Sequence, residues 1–375
     1  MTKLTLVPAL AAFALALLGA CGTPPDDRHA PAAAADMLAD FPPLAAAPLP
    51  GASPAARQFA ASLGRGVNFG NMLDAPTEGA WSLRVDDRFI DMAGTQAGGS
   101  IASVRLPVRW SNHASADAQA RIDPAFMARV DDVVRRLLAR GVPVVLDMHH
   151  YRQLDGDPLD AGETAVPDAL LERRFLALWQ QISEHFRDAP ATLAFELYNE
   201  PHGHLTAGWN DLMSRGVRLV RLSNPARILV VGPTQWNSAR ALGSFEVPPD
   251  ANLVLTVHHY DPFTFTHQGA PWIQPALPLG IGCCSAQQLA DIRAPLDTAQ
   301  RFGARTGYPV YVGEFGAFET VPPADRNRYT RAMRDEMERR GMTWTYWELA
   351  GGFGFFDPAA GAVRPDGLRD ALFGP

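Results

Sequence analysis

After about residue 54, apolar β-rich runs recur eight times, at 66–69, 103–107, 142–148, 192–198, 228–231, 252–258, 310–312 and 343–347. They read as continuous apolar stretches rather than as alternating ones, which marks strands covered on both faces. Helical patterns separate most of them. Asp123 and Pro124 supply a cap and first residue, Met127, Val130, Val134 and Leu137 follow at helical spacing, and Gly141 stops the run. Leu171, Phe175, Leu178, Ile182 and Phe186 form a second stripe, which places Trp179 in the core, and Met333 and Met337 mark a helix ending at Gly341. Strand-to-helix alternation predicts a parallel sheet, and eight strands are the number that closes an α/β, (β/α)8 TIM barrel. An open doubly wound sheet is the rival arrangement.

The chain before that pattern is of a different kind. Residues 1–20 carry one basic residue, Lys3, an apolar stretch from Leu4 to Leu18, and small residues ahead of Cys21, as a secretory signal does. Leu18-Gly19-Ala20-Cys21 resembles the lipobox of bacterial lipoproteins, which implies acylation of Cys21 and a periplasmic or cell-surface lipoprotein, or otherwise a secreted protein. The apolar stretch is short for a membrane-spanning anchor. Residues 21–54 are rich in Pro and Ala and read as a tether, leaving 55–375 as the barrel domain.

A chain of 375 residues with 47% hydrophobic and 19% charged residues can bury a large core. Its net charge of -7 comes without a basic cluster, so neither a nucleic acid nor an anionic membrane surface is an expected partner. Lys3 is the only lysine, which excludes Schiff-base chemistry on the barrel. Cys283 and Cys284 are adjacent; a bridge between neighbours departs from ordinary disulfide geometry, and two thiols in a surface loop are slightly favoured.

In a barrel of this kind function sits where the strands end. In chain order the polar residues there are Asn71, Arg105, His149 and His150, Asn199 and Glu200, Trp236 and Asn237, His258 and Tyr260, Glu314, and Trp347 with Glu348. Glu200 and Glu314 each close an apolar run. Two such carboxylates suit glycosidic-bond cleavage, which needs a protonated acid on the leaving oxygen and an ionised carboxylate facing the anomeric carbon. Arg105 beside Glu314 would keep it ionised, while a less compensated Glu200 would hold its proton longer.

Seven pieces at these ends carry a resemblance: Arg65-Gly66-Val67-Asn68-Phe69-Gly70-Asn71, Val104-Arg105-Leu106-Pro107, Leu146-Asp147-Met148-His149, Leu197-Tyr198-Asn199-Glu200-Pro201, Val257-His258-His259-Tyr260, Val312-Gly313-Glu314-Phe315-Gly316 and Trp344-Thr345-Tyr346-Trp347-Glu348. Over about residues 60 to 360 the chain resembles glycoside hydrolase family 5, the cellulases and related β-glycanases. The resemblance implies a retaining hydrolase with Glu200 as acid/base and Glu314 as nucleophile. It implies that Asn199 bonds the sugar 2-hydroxyl, that Arg105 and Tyr260 hold the nucleophile, that His149 and His258 bond the reacting sugar or position Glu200, and that Trp347 forms its floor.

Tryptophan rings suit the apolar faces of sugars, so Trp347, Trp236, Trp272 and Trp81 are candidates for successive subsites, and His150 joins the substrate-binding set. His202 and His204 read as loop histidines near a sugar site rather than metal ligands, since further ligands are missing. Ser82 after Trp81 and the Cys283-Cys284 loop depart from the family pattern. The expectation is a monomeric endo-acting β-1,4-glucanase that uses no cofactor and no metal, whose partner is a β-glucan and whose only membrane link is the lipid. A β-mannanase, a β-1,3-glucanase and a non-catalytic glycan-binding lipoprotein are the alternatives.

Overall fold

In the computed structural model, which describes residues 36–94 and 101–375, the apolar runs are the strands of one closed barrel. They are β1 Arg65–Asn68, β2 Val104–Val108, β3 Val144–Met148, β4 Leu193–Glu196, β5 Leu229–Val231, β6 Leu253–His258, β7 Val310–Glu314 and β8 Thr343–Tyr346. Each pairs in parallel with the next, and β8 closes on β1 through Arg65 to Trp344 and Val67 to Tyr346. Every residue of β2 through β6 is buried, which is why these strands carry no polar alternation. The doubly wound alternative is thereby excluded.

The helices form where their caps and stripes place them. Asp123 accepts from the Ala125 N–H at 2.8 Å to start Pro124–Ala139, and Gly141 follows its end with φ +74°. Leu171–His185 buries Phe175, Leu178 and Ile182, together with Trp179, whose Nε1 donates to the Leu197 carbonyl at 2.9 Å. Pro323–Arg339 buries Met333 and Met337. The barrel floor is closed by the helix Pro54–Leu63, whose Ala56, Phe59, Ala60 and Leu63 pack on inward residues of the strands, among them Val145, Val230 and Tyr311. Ser53 caps that helix and ties it to β6 through Asn252 at 2.7 Å.

The leader, Cys21 and the first part of the expected tether lie outside the described residues. Residues 36–53 do not stand off the barrel as a tether would. Leu44 N–H donates to Ser214 Oγ at 2.7 Å, Arg215 donates to the Phe41 carbonyl at 2.9 Å, and Met37, Leu38, Phe41 and Leu44 pack against the core. Four apolar side chains spaced among the prolines give this segment a surface to bury, which composition alone conceals. Among the described residues no helix is long and apolar enough to cross a membrane.

Candidate active site

β2 carries Arg105 into the middle of the barrel mouth with no exposure at all, so each of its donors must find a partner. Nε and Nη2 grip Glu196 of β4 at 2.7 and 2.9 Å, Nη1 reaches Asn68 at 3.0 Å and Glu314 at 2.7 Å, and Nη2 also bonds Asn199 at 2.8 Å. Asp147 of β3 stands 3.1 Å away. One guanidinium thus links β1, β2, β3, β4 and β7.

Glu314 ends β7 and Glu200 lies just past β4, where the chain turns through a positive φ of 52° that aims the side chain across the mouth. Glu314 is nearly buried and accepts at both oxygens, from Arg105 and from the Tyr260 hydroxyl at 2.8 Å. Glu200 is more open and has one side-chain partner, His258 Nδ1 at 2.8 Å. An oxygen of Glu200, an oxygen of Glu314 and a ring nitrogen of His258 all lie within 4.8 Å of one another.

Burial raises both carboxyls to about 7. For Glu200 it is opposed by Arg105 and His202; for Glu314 it is opposed by His258, Arg105 and the Tyr260 hydrogen bond, and Glu200 adds to the rise. The strong asymmetry expected from Arg105 beside Glu314 is therefore not found, because burial dominates at both groups and Arg105 opposes it at both. The two groups differ in their hydrogen bonds. Burial also lowers His258 to about 4 and holds His149 well below the usual imidazole range, so both rings are neutral near pH 7.

His149 Nδ1 lies 2.5 Å from Asp147 and its ring stacks on Trp347, 5.5 Å apart at 5°. His150 meets His149 edge-on at 4.3 Å and Trp81 at 5.7 Å, so Trp81, His150, His149 and Trp347 form a continuous wall. Trp236 stands apart, 56% exposed and stacked on His202 at 4.6 Å. Trp272, 55% exposed, packs on Phe318 and Phe353. Trp344 is core. The sulfurs of Cys283 and Cys284 are joined, against the expectation of two thiols; Gln288 bonds the residue on either side, donating to the Gly282 carbonyl at 2.9 Å and accepting from the Ser285 N–H at 2.7 Å.

Sequence alone assigns no role to Glu196, Asp147, Asn68, Asp74 or Glu348, all fully buried. Their signal was present: a charge inside an apolar strand needs a buried counter-charge, and Glu196 and Asp147 sit in such runs. Glu348 accepts from Asn71 Nδ2, and burial together with the charge of Asp74 pushes it up to about 8. Among the described residues two groups are close enough to share a cation, Asp74 with His149 and His150, and Glu200 with His258 and Glu314. In the first, Asp74 already accepts the Asn71 and Met72 N–H groups.

The model of the cellulase family, glycosyl hydrolase family 5, matches residues 80–352. Endoglucanase H of Acetivibrio thermocellus is 32% identical over 321 residues, covering 84% of this chain and 33% of that protein. Endoglucanase 3 of Fibrobacter succinogenes is 24% identical over 337 residues, 78% of this chain and 50% of that protein. The chain thus spans a third to a half of the length of these relatives. Among solved structures, one named as an endoglucanase superposes with a TM-score of 0.79 at 33% identity, over 85% of this chain and 100% of that one. Cel5A of Thermotoga maritima in complex with mannotriose gives 0.77 at 36% identity, over 84% and 99%. With the barrel, the strand-end carboxylates and these matches in agreement, the chain belongs to glycosyl hydrolase family 5, the cellulase family.

Proposed function

We propose that the protein is an endo-acting β-1,4-glucanase that works with retention of configuration, Glu314 serving as nucleophile and Glu200 as acid/base. The observation that carries this reading is the approach of a Glu200 oxygen to within 4.8 Å of a Glu314 oxygen across the barrel mouth. Retaining enzymes hold their carboxyl groups about 5 to 5.5 Å apart, and inverting ones leave about 6.5 to 9.5 Å for a water.

Glu314, held by Arg105 and Tyr260, attacks the anomeric carbon as Glu200 gives its proton to the glycosidic oxygen. The bond to the leaving sugar breaks and a glycosyl ester forms on Glu314. Glu200, now a carboxylate, takes a proton from water as the water attacks the same carbon, and the ester bond breaks to restore both groups. The tautomer of His258 supports this division. With the hydrogen on Nδ1, 2.8 Å from Glu200, the neutral ring donates to Oε1. The acid's proton is then left to Oε2.

The aromatic wall from Trp81 to Trp347, with Trp236 and Trp272, supports binding of an extended glycan. Cleavage of β-mannan is the second reading, favoured because the similar Cel5A is described with mannotriose as well as with cellobiose. The leader and the lipobox-like run before Cys21 support export as a lipid-anchored protein. Reducing-sugar release from carboxymethylcellulose, barley β-glucan, laminarin, glucomannan and xyloglucan, with product lengths by chromatography, tests the substrate. Proton NMR of early products tests the stereochemistry: a β-anomer is expected, and an initial α-anomer refutes the mechanism.

A further inference from the structure

Between β6 and the helix Ala286–Thr306 the chain makes a long excursion that carries Trp272, and its base is unusually well tied. Gln268 is fully buried and works as a side-chain clasp. Its Nε2 donates to the Ile281 carbonyl at 2.9 Å and its Oε1 accepts the Ile281 N–H at 3.0 Å, the pairing a strand partner would make. Gln268 Nε2 also reaches the Phe265 carbonyl at 3.1 Å, and the Gln268 carbonyl accepts from Thr320 Oγ1. At Gly269, φ is +71° and an added Cβ would stand 2.8 Å from Leu279, so the two limbs close tightly just beyond the clasp.

The outgoing limb is fixed residue by residue. The Gly282 carbonyl accepts from Gln288 Nε2 at 2.9 Å, and the Cys283 N–H donates to Asp325 Oδ1 at 2.9 Å. The Cys283 carbonyl accepts from Arg328 Nε at 2.8 Å, Cys283 is joined to Cys284, and Ser285 caps the following helix. Beyond this base the arm 270–280 holds Pro271, Pro275 and Pro278 and has few bonds of its own, yet Trp272 and Leu279 stand 55% and 69% exposed at it. Trp272 is also joined to the reacting centre: it packs on Phe353 and near His267, both rings pack on Tyr260, and Tyr260 bonds Glu314.

We propose that Gln268 and the Cys283–Cys284 bridge are positioning residues, which hold this arm so that Trp272 stands as a rigid platform for a sugar ring away from the cleaved bond. The inference rests on the β-glycanase reading above. A ring held in place before substrate arrives loses little freedom on binding, whereas the same ring on a loose arm must be ordered at that step. The clasp therefore acts on the affinity for long substrates and not on the bond-breaking step.

The test is a series of cello-oligosaccharides of rising length, with kcat and KM measured separately for wild type, Gln268→Leu, Trp272→Ala, the double variant Gln268→Leu/Trp272→Ala, and Cys283→Ala/Cys284→Ala. Folding is checked by thermal melting. Expected are a KM rise of about fivefold to tenfold on the longest oligosaccharide for Gln268→Leu, a smaller rise for the cysteine variant, and kcat within twofold of wild type. In the double variant KM should be no higher than for Trp272→Ala alone, because a loose arm without its ring has nothing left to misplace. A phosphine reductant should reproduce the cysteine effect in wild type and have none in the variant: the phosphine is oxidised to its oxide with oxygen from water, and the two sulfurs take up the two hydrogens as thiols. Equal KM values across the length series, or effects of Gln268→Leu and Trp272→Ala that multiply in full, overturn the proposal. If Gln268→Leu does not fold, the cysteine variant and the reductant decide by the same criteria. A wild type inactive on every β-glycan refutes the underlying reading instead.

Discussion

Removing one oxygen atom, by Tyr260→Phe, should shift the acid limb of the pH–rate curve in a direction fixed by the geometry. The Tyr260 hydroxyl donates to Glu314 Oε2 at 2.8 Å, and a bond of this kind favours the charged carboxylate. A hydrogen bond to a charged group contributes roughly 1.5 to 3 kcal/mol, and about 1.36 kcal/mol corresponds to one pKa unit. Arg105 remains on the other oxygen at 2.7 Å and takes up part of the loss, so a rise of about one unit is the reasonable figure. Burial raises Glu314 to about 7 against the pull of Arg105, and in the proposed mechanism it must be ionised to attack. Losing the bond raises that value, so the acid limb moves to higher pH and the rate on that limb falls about tenfold. The alkaline limb, set by loss of the proton from Glu200, should move much less. The assay is kcat/KM for an activated aryl cellobioside between pH 4 and 9 on roughly half-unit steps. Because Glu200 also lies near 7, the limbs are compared by their absolute rates: acid-limb rates that do not fall, or alkaline-limb rates that fall as far, would refute the assignment of Glu314 as the ionised partner.

Glu314→Ala should be inactive on every substrate, whereas Glu200→Ala should give a burst followed by slow turnover on the same aryl cellobioside, and azide should speed the second step and yield a β-glycosyl azide; equal losses without leaving-group dependence would move the acid elsewhere. Glu348, raised to about 8 by burial and by Asp74, binds its proton more tightly folded than unfolded, so its charge weighs against folding as pH rises from 4.5 towards 8. Glu348→Gln should then raise Tm by on the order of 5 °C at pH 9 and leave it unchanged near pH 4; an equal shift at both would show a packing effect. Cys21→Ser should abolish fatty-acid labelling in cells, and a wild type that incorporates no label would refute the lipid anchor.

The eight strands were legible because each is apolar on both faces, and the helices because their caps and stripes agree. Strand ends were less so. The run 192–198 is ladder only as far as Glu196, since Tyr198 leaves to donate to Asp155 at 2.6 Å, and Asn199 and Glu200 must turn into the mouth. Glu200 and Glu314 could be found from position alone. Glu196 and Asp147 were hidden because their meaning depends on Arg105, a neighbour only in space. The docking of residues 36–53 and the joined cysteines depend in the same way on Ser214, Arg215 and Asp325, which are distant in sequence.

Charge balance at the barrel mouth supplies the reason a proton is held there. Arg105 is the cation that faces Asp147, Glu196 and Glu314 at ion-pair distance, and Glu200 lies within its field. His149 and His258 add no charge, because burial keeps both neutral. One guanidinium against four carboxyls cannot keep all four ionised in a buried site, and burial accordingly raises Asp147, Glu196, Glu200 and Glu314 together. Where the protons rest is then decided by hydrogen bonds. Glu196 takes two from Arg105, Glu314 takes one at each oxygen, and Asp147 accepts at the oxygen shared by Arg105 and His149. Among the described residues Glu200 has only His258, at one oxygen, and is the more exposed of the two mouth carboxyls. Its other oxygen is the cheapest place for a proton that can still reach a substrate, so a shortage of cations in the barrel is what suits Glu200 to the acid role proposed for it.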